Sequence, residues 1–281
     1  VYLQAKLKQK NFITSMVLYY FDKVKIYRLR GLVPEDIGDE PSYLQRAPKR
    51  NFLLLSENWY LNNGIFFQKI DYEYDTEFRL KKSSYYNKEN KLENYTLYQY
   101  SDEDDRLEIK KSYFNDNLLM EYNKYTYIND VKKICNQSIF ENGKWQKRVI
   151  TYLYNYCRCL LQESWTDLQG RNIYRVNYNY NNDKTLNSIM HYKFEKENGV
   201  CNSVLFKTNQ FIYDNSKRLI ELSTSEPGSG LSERILYFYE GELLQSTEVY
   251  TRDNNYIDTS QGFRNRFRPV YKVKYNYKEI S

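Results

Sequence analysis

The chain has 281 residues, enough to bury a core as one large domain or two ordinary ones. Its 42 Lys and Arg against 36 Asp and Glu leave a formal charge of +6 with the two signs interspersed, short of the dense basic stripe of a nucleic-acid binder. No run of roughly 18 apolar residues is present, so no membrane span is expected, and four cysteines are too few for a disulfide framework.

The anomaly is tyrosine, with 32 copies against 14 Phe and 3 Trp. A phenol covers apolar surface with its ring and keeps a polar tip, which suits half-buried positions. A mean hydropathy of -0.83 agrees with a chain lacking a thick dry core.

Residues 1–50 are the least regular. "VYLQAKLKQK" starts at Val1 without Met and does not have the pattern of a signal peptide, so the chain reads as processed or trimmed. "RGLVPEDIGDEPSYLQRAPKR" holds Pro34, Pro41 and Pro48 and reads as an inserted loop. An irregular N-terminal cap or atypical repeat is expected over 1–50, with any helix confined mainly to it. A tandem repeat domain is expected over 51–281, opening with the strands of "NFLLLSENWYLNNGIFFQKI".

From there an aromatic-x-Tyr doublet recurs, ending at Tyr74, Tyr100, Tyr127, Tyr154, Tyr180, Tyr213, Tyr239 and Tyr277, at intervals of 26, 27, 27, 26, 33, 26 and 38 residues. Such a fixed period marks a repeat architecture. Each of the first seven doublets is followed by polar turn residues and then by Leu80, Leu107, Val131, Leu160, Leu186, Leu219 or Leu243. In "TLNSIMHYKF", Leu186, Ser188, Met190, Tyr192 and Phe194 alternate in the period of a strand. The predicted fold is therefore all-β: an antiparallel β-meander of 26- to 27-residue hairpins, extended or curled, with the tyrosines in two parallel ladders on one face.

"DYEYDTEFRLKKSSYY", "YTYINDVKKICNQSIFENGKWQKRVITYLYNY" and "FIYDNSKRLIEL" resemble the tyrosine-aspartate (YD-like) repeats of secreted and surface-anchored bacterial proteins, over roughly residues 50–277. The aspartate is kept at Asp75 and Asp214. The resemblance implies an extended β-sheet, a secreted or cell-surface location and no catalytic residue. "YFNDNLLMEYNKY" and "FYEGELLQSTEVY" are also similar, more weakly, to MORN-like repeats of antitoxin-type proteins.

Candidate chemistry is sparse. His191 is the single histidine and alternates with Met190 and Tyr192, which favours a place on a strand surface over a catalytic one. Cys135, Cys157, Cys159 and Cys201 are expected as free thiols, and the acidic run 101–105 as a solvated hairpin turn without the glycine or later Glu of a calcium loop. The C-terminal Arg264, Arg266, Arg268, Lys272 and Lys274, interleaved with Phe263, Phe267 and Tyr271, read as a charged sheet edge.

The expected function is a non-catalytic, surface-exposed binding or scaffolding module without cofactor or metal, taking a protein or glycan. The alternatives are an accessory domain of a larger enzyme or toxin, or an antitoxin-like partner in the cytoplasm. The expected binding surface is the tyrosine face at Tyr98, Tyr100, Tyr125, Tyr127, Tyr152 and Tyr154, where the repeat is most regular.

Overall fold

The computed structural model describes residues 52–102, 106–197, 200–241, 243–252 and 267–279. The expected cap at 1–50 lies outside the described residues, as do Arg264 and Arg266. Among the described residues sixteen strands follow in chain order. The first eight are β1 (Phe52–Leu61), β2 (Phe66–Tyr74), β3 (Leu80–Tyr86), β4 (Leu92–Tyr100), β5 (Leu107–Phe114), β6 (Leu119–Asn129), β7 (Lys132–Glu141) and β8 (Lys144–Tyr154). The second eight are β9 (Leu160–Thr166), β10 (Asn172–Tyr180), β11 (Leu186–Glu197), β12 (Val200–Tyr213), β13 (Leu219–Glu226), β14 (Gly230–Glu240), β15 (Leu243–Arg252) and β16 (Phe267–Glu279).

Each strand pairs antiparallel with its chain neighbours, and β1 also pairs with β16, Leu54 opposite Tyr277 and Trp59 opposite Val273. The sheet is thus a closed barrel, which overturns the expected open or curled meander. It overturns the edge reading of the C-terminal strand as well: β16 is hydrogen-bonded on both sides, to β15 and β1.

Closure has a local cause. A bulge falls at the second tyrosine of one doublet after another, between Glu73 and Tyr74, Gln99 and Tyr100, Leu153 and Tyr154, Asn179 and Tyr180, Ile212 and Tyr213, and Phe238 and Tyr239. Each bulge bends its strand and adds right-handed twist. Repeated in the same sense once per hairpin, the bends accumulate until the first strand meets the last.

The turns after the doublets are equally regular. Asp75 Oδ1 accepts from the backbone N–H groups of Glu77 (3.0 Å) and Arg79 (2.8 Å), while Arg79 Nε donates to Oδ2 at 2.7 Å. Asp214 is bonded in the same way by Arg218, through its backbone N–H at 2.8 Å and Nε at 2.7 Å. The residue before each arginine is left-handed, Phe78 at φ 62° and Lys217 at φ 62°, as a type I turn with a bulge requires. Burial pulls the Asp75 and Asp214 carboxyls upward, but the bonds from Arg79 and Arg218 outweigh it and hold both below their ordinary value.

The core lies on one face of this single-layer wall. The first ring of each doublet is buried at Tyr72, Tyr98, Tyr125, Tyr178, Phe211 and Tyr237, together with Leu80, Leu107, Leu160, Leu186 and Leu244. The residues between the doublet rings, among them Glu73, Gln99, Thr126, Leu153, Ile212 and Phe238, are exposed. A single layer can bury only its concave side, so the doublets line the interior.

Candidate functional site

The two hydroxyls of a doublet have separate and repeating tasks. The second tyrosine reaches back 20 residues to a leucine carbonyl at or near the start of the preceding odd strand. Tyr74 donates to Leu54 O (2.8 Å), Tyr100 to Leu80 O (3.0 Å), Tyr127 to Leu107 O (3.0 Å), Tyr180 to Leu160 O (2.9 Å) and Tyr239 to Leu219 O (3.0 Å). Tyr277 does the same for Leu244 O at 2.9 Å across a longer connection. The first aromatic reaches back 15 residues: Tyr72 donates to Glu57 Oε1 (2.7 Å), Tyr98 shares a contact of 3.4 Å with Ser83 Oγ, and Tyr178 donates to Glu163.

The rings therefore lean along the wall, each even strand fastened by its phenols to the odd strand before it. The arginines of the turns roof the second rings, Arg79 over Tyr100 at 5.0 Å, Arg106 over Tyr127 at 5.0 Å and Arg218 over Tyr239 at 5.1 Å. Burial raises the phenols of Tyr74, Tyr180 and Tyr277 far above their ordinary value and pushes Tyr239 up to about 12.

The six tyrosines singled out from the sequence are thus brought onto one arc of the inner wall, on β4, β6 and β8. Tyr98 and Tyr125 are 6 % and 8 % exposed, and Tyr100, Tyr127 and Tyr152 pack half-buried against the core. A ring lying on the wall of a water-filled pore would keep its upper face wet. Tyr98 and Tyr125 are instead covered by the side chains packed against them.

Two inner-wall residues were not legible from the sequence. Lys133, rather than Val131, occupies the register position opposite Tyr127 that leucine takes in the other units. It is 5 % exposed, with its Nζ over the rings of Tyr125 (5.3 Å), Tyr127 (5.8 Å), Tyr152 (4.7 Å) and Tyr154 (5.9 Å). A buried ammonium is tolerated there because four ring faces replace part of its hydration. The only sequence signal was its place in the repeat.

His191 is the other. It is buried on the inner wall, which corrects the expectation of a strand surface. Its Nδ1 lies 2.5 Å from Tyr174 Oη and its Nε2 2.7 Å from Asn209 Nδ2, while Thr224 Oγ1 donates to Asn209 Oδ1 at 2.9 Å. With the Asn209 carbonyl accepting from Thr224, its amide donates to Nε2, so the imidazole proton sits on Nδ1 and goes to Tyr174. Both ring nitrogens are held in a chain that ties β10, β11, β12 and β13 together.

The four cysteines are thiols; Cys157 and Cys201 are exposed, Cys135 and Cys159 buried. Cys157 and Cys159 lie in and just after a turn rather than on a strand, where Asn155 Oδ1 accepts from both backbone N–H groups at 2.9 Å. No group of three or more His, Cys, Asp or Glu among the described residues is placed to hold a metal.

The outer wall carries ion pairs along its strands. Lys82 pairs with Glu73 (3.2 Å), Lys69 with Asp71 (2.9 Å) and Lys272 with Glu248 (3.0 Å). Arg234 grips Glu221 with two bonds of 2.9 and 2.6 Å, which raises the guanidinium further. Exposed apolar residues such as Leu97, Leu153 and Ile212 are scattered among these charges.

This barrel is similar to the crystal structure of a porin-like protein from Bacteroides uniformis, at 11 % identity and a TM-score of 0.50, covering 83 % of this chain and 98 % of that one. The likeness establishes the fold. A Bacteroides fragilis protein with unknown function also aligns, at 15 % identity over 50 % of this chain and 91 % of its own, but its TM-score of 0.25 carries no argument. No family model and no curated protein matches the sequence.

Proposed function

We propose that the chain is a non-catalytic β-barrel that serves as a surface-exposed binding or scaffolding module, with its outer wall in water. The placement of charge is the observation that supports this most. A barrel seated in a bilayer shows an apolar band about 25 Å tall to the lipid, and an Arg or Lys at mid-depth costs about 2–4 kcal/mol. Here Lys82–Glu73, Arg234–Glu221 and Lys272–Glu248 stand on the outside of the strands, where a lipid-facing wall would be apolar. The likeness to a porin-like protein supports a surface or outer-membrane setting, in which the barrel presents its polar wall and rims to a protein or glycan.

Absence of catalysis is supported by the inner wall itself: the one imidazole is bonded at both nitrogens to structural partners. The test is purification without detergent followed by planar-bilayer recording. The expected result is a monodisperse folded barrel that opens no conductance. A chain that folds only in detergent and gives stepwise ion currents overturns the reading.

A further inference from the structure

Three adjacent hairpins, β5–β6, β7–β8 and β9–β10, end on the rim opposite the doublets. Their ends expose Leu118 at 62 %, Phe140 at 42 %, Trp145 at 45 %, Leu168 at 63 % and Ile173 at 40 %. Phe140 and Trp145 face each other across their hairpin with ring centroids 5.5 Å apart. The repeat sets these ends at one height: Leu118 stands nine residues before Tyr127, Trp145 nine before Tyr154, and Arg171, which closes the turn of Leu168, nine before Tyr180. Successive hairpins are two strands, roughly 10 Å, apart. The apolar side chains therefore form a row of separate knobs, divided by the polar turns Asn115–Asn117, Asn142–Gly143 and Gln169–Gly170.

Knobs divided by polar turns do not make a groove for a helix or strand. They suit a bilayer interface, which accepts Trp and Leu singly at the level of the headgroups. Charge selects the kind of bilayer. On these hairpins Glu141 is paired with Arg148 (2.6 Å) and Asp167 with Arg171 (2.6 Å). Lys144 and Lys147, both exposed, form no ion pair among the described residues, and Asp116 is the one acid set against them. The opposite rim of the same arc sets Asp102 and Asp130 beside the exposed cations Arg158 and Lys184. The unpaired Lys144 and Lys147 suit the first rim to an anionic surface.

We propose that the β5–β10 rim docks end-on to an anionic lipid surface, inserting Leu118, Trp145 and Leu168 between headgroups while Lys144 and Lys147 neutralise lipid charge. The proposal rests on the water-facing outer wall argued above, since the barrel stands on the bilayer rather than in it. The purified chain should co-sediment with mixed phosphatidylglycerol–phosphatidylcholine vesicles, and much less with phosphatidylcholine alone. High salt should release it, because exposed charges are screened within about 8 Å at physiological ionic strength. The paired variants Leu118→Asp with Leu168→Asp, and Lys144→Glu with Lys147→Glu, should each weaken vesicle binding about tenfold or more while leaving the circular dichroism spectrum intact. These positions lie in exposed turns and hairpin ends, so the fold survives them. No binding by the folded parent chain, or binding that neither variant pair alters, overturns the proposal. Binding that resists both high salt and alkaline extraction overturns instead the water-facing wall on which it rests.

Discussion

Removing one phenolic oxygen tests the account of the doublets most directly, and Tyr100→Phe is the cleanest place to do it. The Tyr100 hydroxyl donates to Leu80 O at 3.0 Å, Leu80 is fully buried, and Arg79 lies 5.0 Å above the ring. Phenylalanine keeps the ring, its packing and the cation beneath which it sits, so the change isolates the hydrogen bond. The Leu80 carbonyl is left buried without its donor, which costs about 1–3 kcal/mol. Tyr100→Ala removes the half-buried ring as well and should cost roughly 3–5 kcal/mol in all. Tyr156, 98 % exposed at the tip of its turn, is the control, with both substitutions expected to stay within about 0.5 kcal/mol. Urea unfolding reads the difference as a lower midpoint at constant slope. Tyr180→Phe, on β10, breaks the equivalent bond to Leu160 far from the first, and the two losses should add to within about 0.5 kcal/mol. A Tyr100→Phe barrel indistinguishable from the parent would refute the view that the phenols fasten one strand to the next.

Alkaline pH should act together on the fasteners Tyr74, Tyr180, Tyr239 and Tyr277. Their folded values stand above the ordinary 10, Tyr239 at about 12, so the stability they contribute is complete below pH 10 and is lost as pH rises toward and through the folded values. For Tyr239 alone the loss reaches about 2 kcal/mol by pH 12. Phenolate absorbance and loss of sheet circular dichroism should then rise in one cooperative step; buried phenols that ionise gradually in an intact barrel would contradict it. Lys133→Leu restores the residue type of the other units and should be neutral or stabilising, whereas Lys133→Ala leaves a hole among four rings and should cost about 2–4 kcal/mol, both read by thermal melting.

Much of the strand content was legible because Tyr, Leu and turn residues recur at a fixed period, and the doublets do mark the ends of even strands. Closure was not legible. It depends on bulges such as the one between Glu73 and Tyr74, where a single extra residue leaves the alternating pattern nearly unchanged while bending the strand. The facing of the tyrosine stripe was hidden for the same reason, since an open sheet and a barrel share one alternation and differ only in whether that face is concave. His191 was misplaced because alternation with Met190 and Tyr192 gives two faces without saying which is inner; Asn209 and Tyr174, its partners, come from other strands. The charged outer pairs were visible as residues, but nothing local shows that Glu221 meets Arg234 across two strands.

The seam between β1 and β16 makes repeat number a condition of existence rather than a matter of degree. In an open solenoid one unit more or fewer changes length alone. Here Asn276 Nδ2 must find Ser56 Oγ, 220 residues away along the chain, at 2.8 Å, and it can do so only if the circumference between them is right. Deleting one hairpin would alter strand number and stagger together and leave Trp59 out of line with Val273. Such a chain divides its folding in two: hairpins zip locally one onto the last, and the final pairing waits on the slow meeting of distant ends. Duplication could have built this protein step by step, but every intermediate with an unmatched pair of ends would have carried two open strand edges, exposed to the same chain in its neighbours.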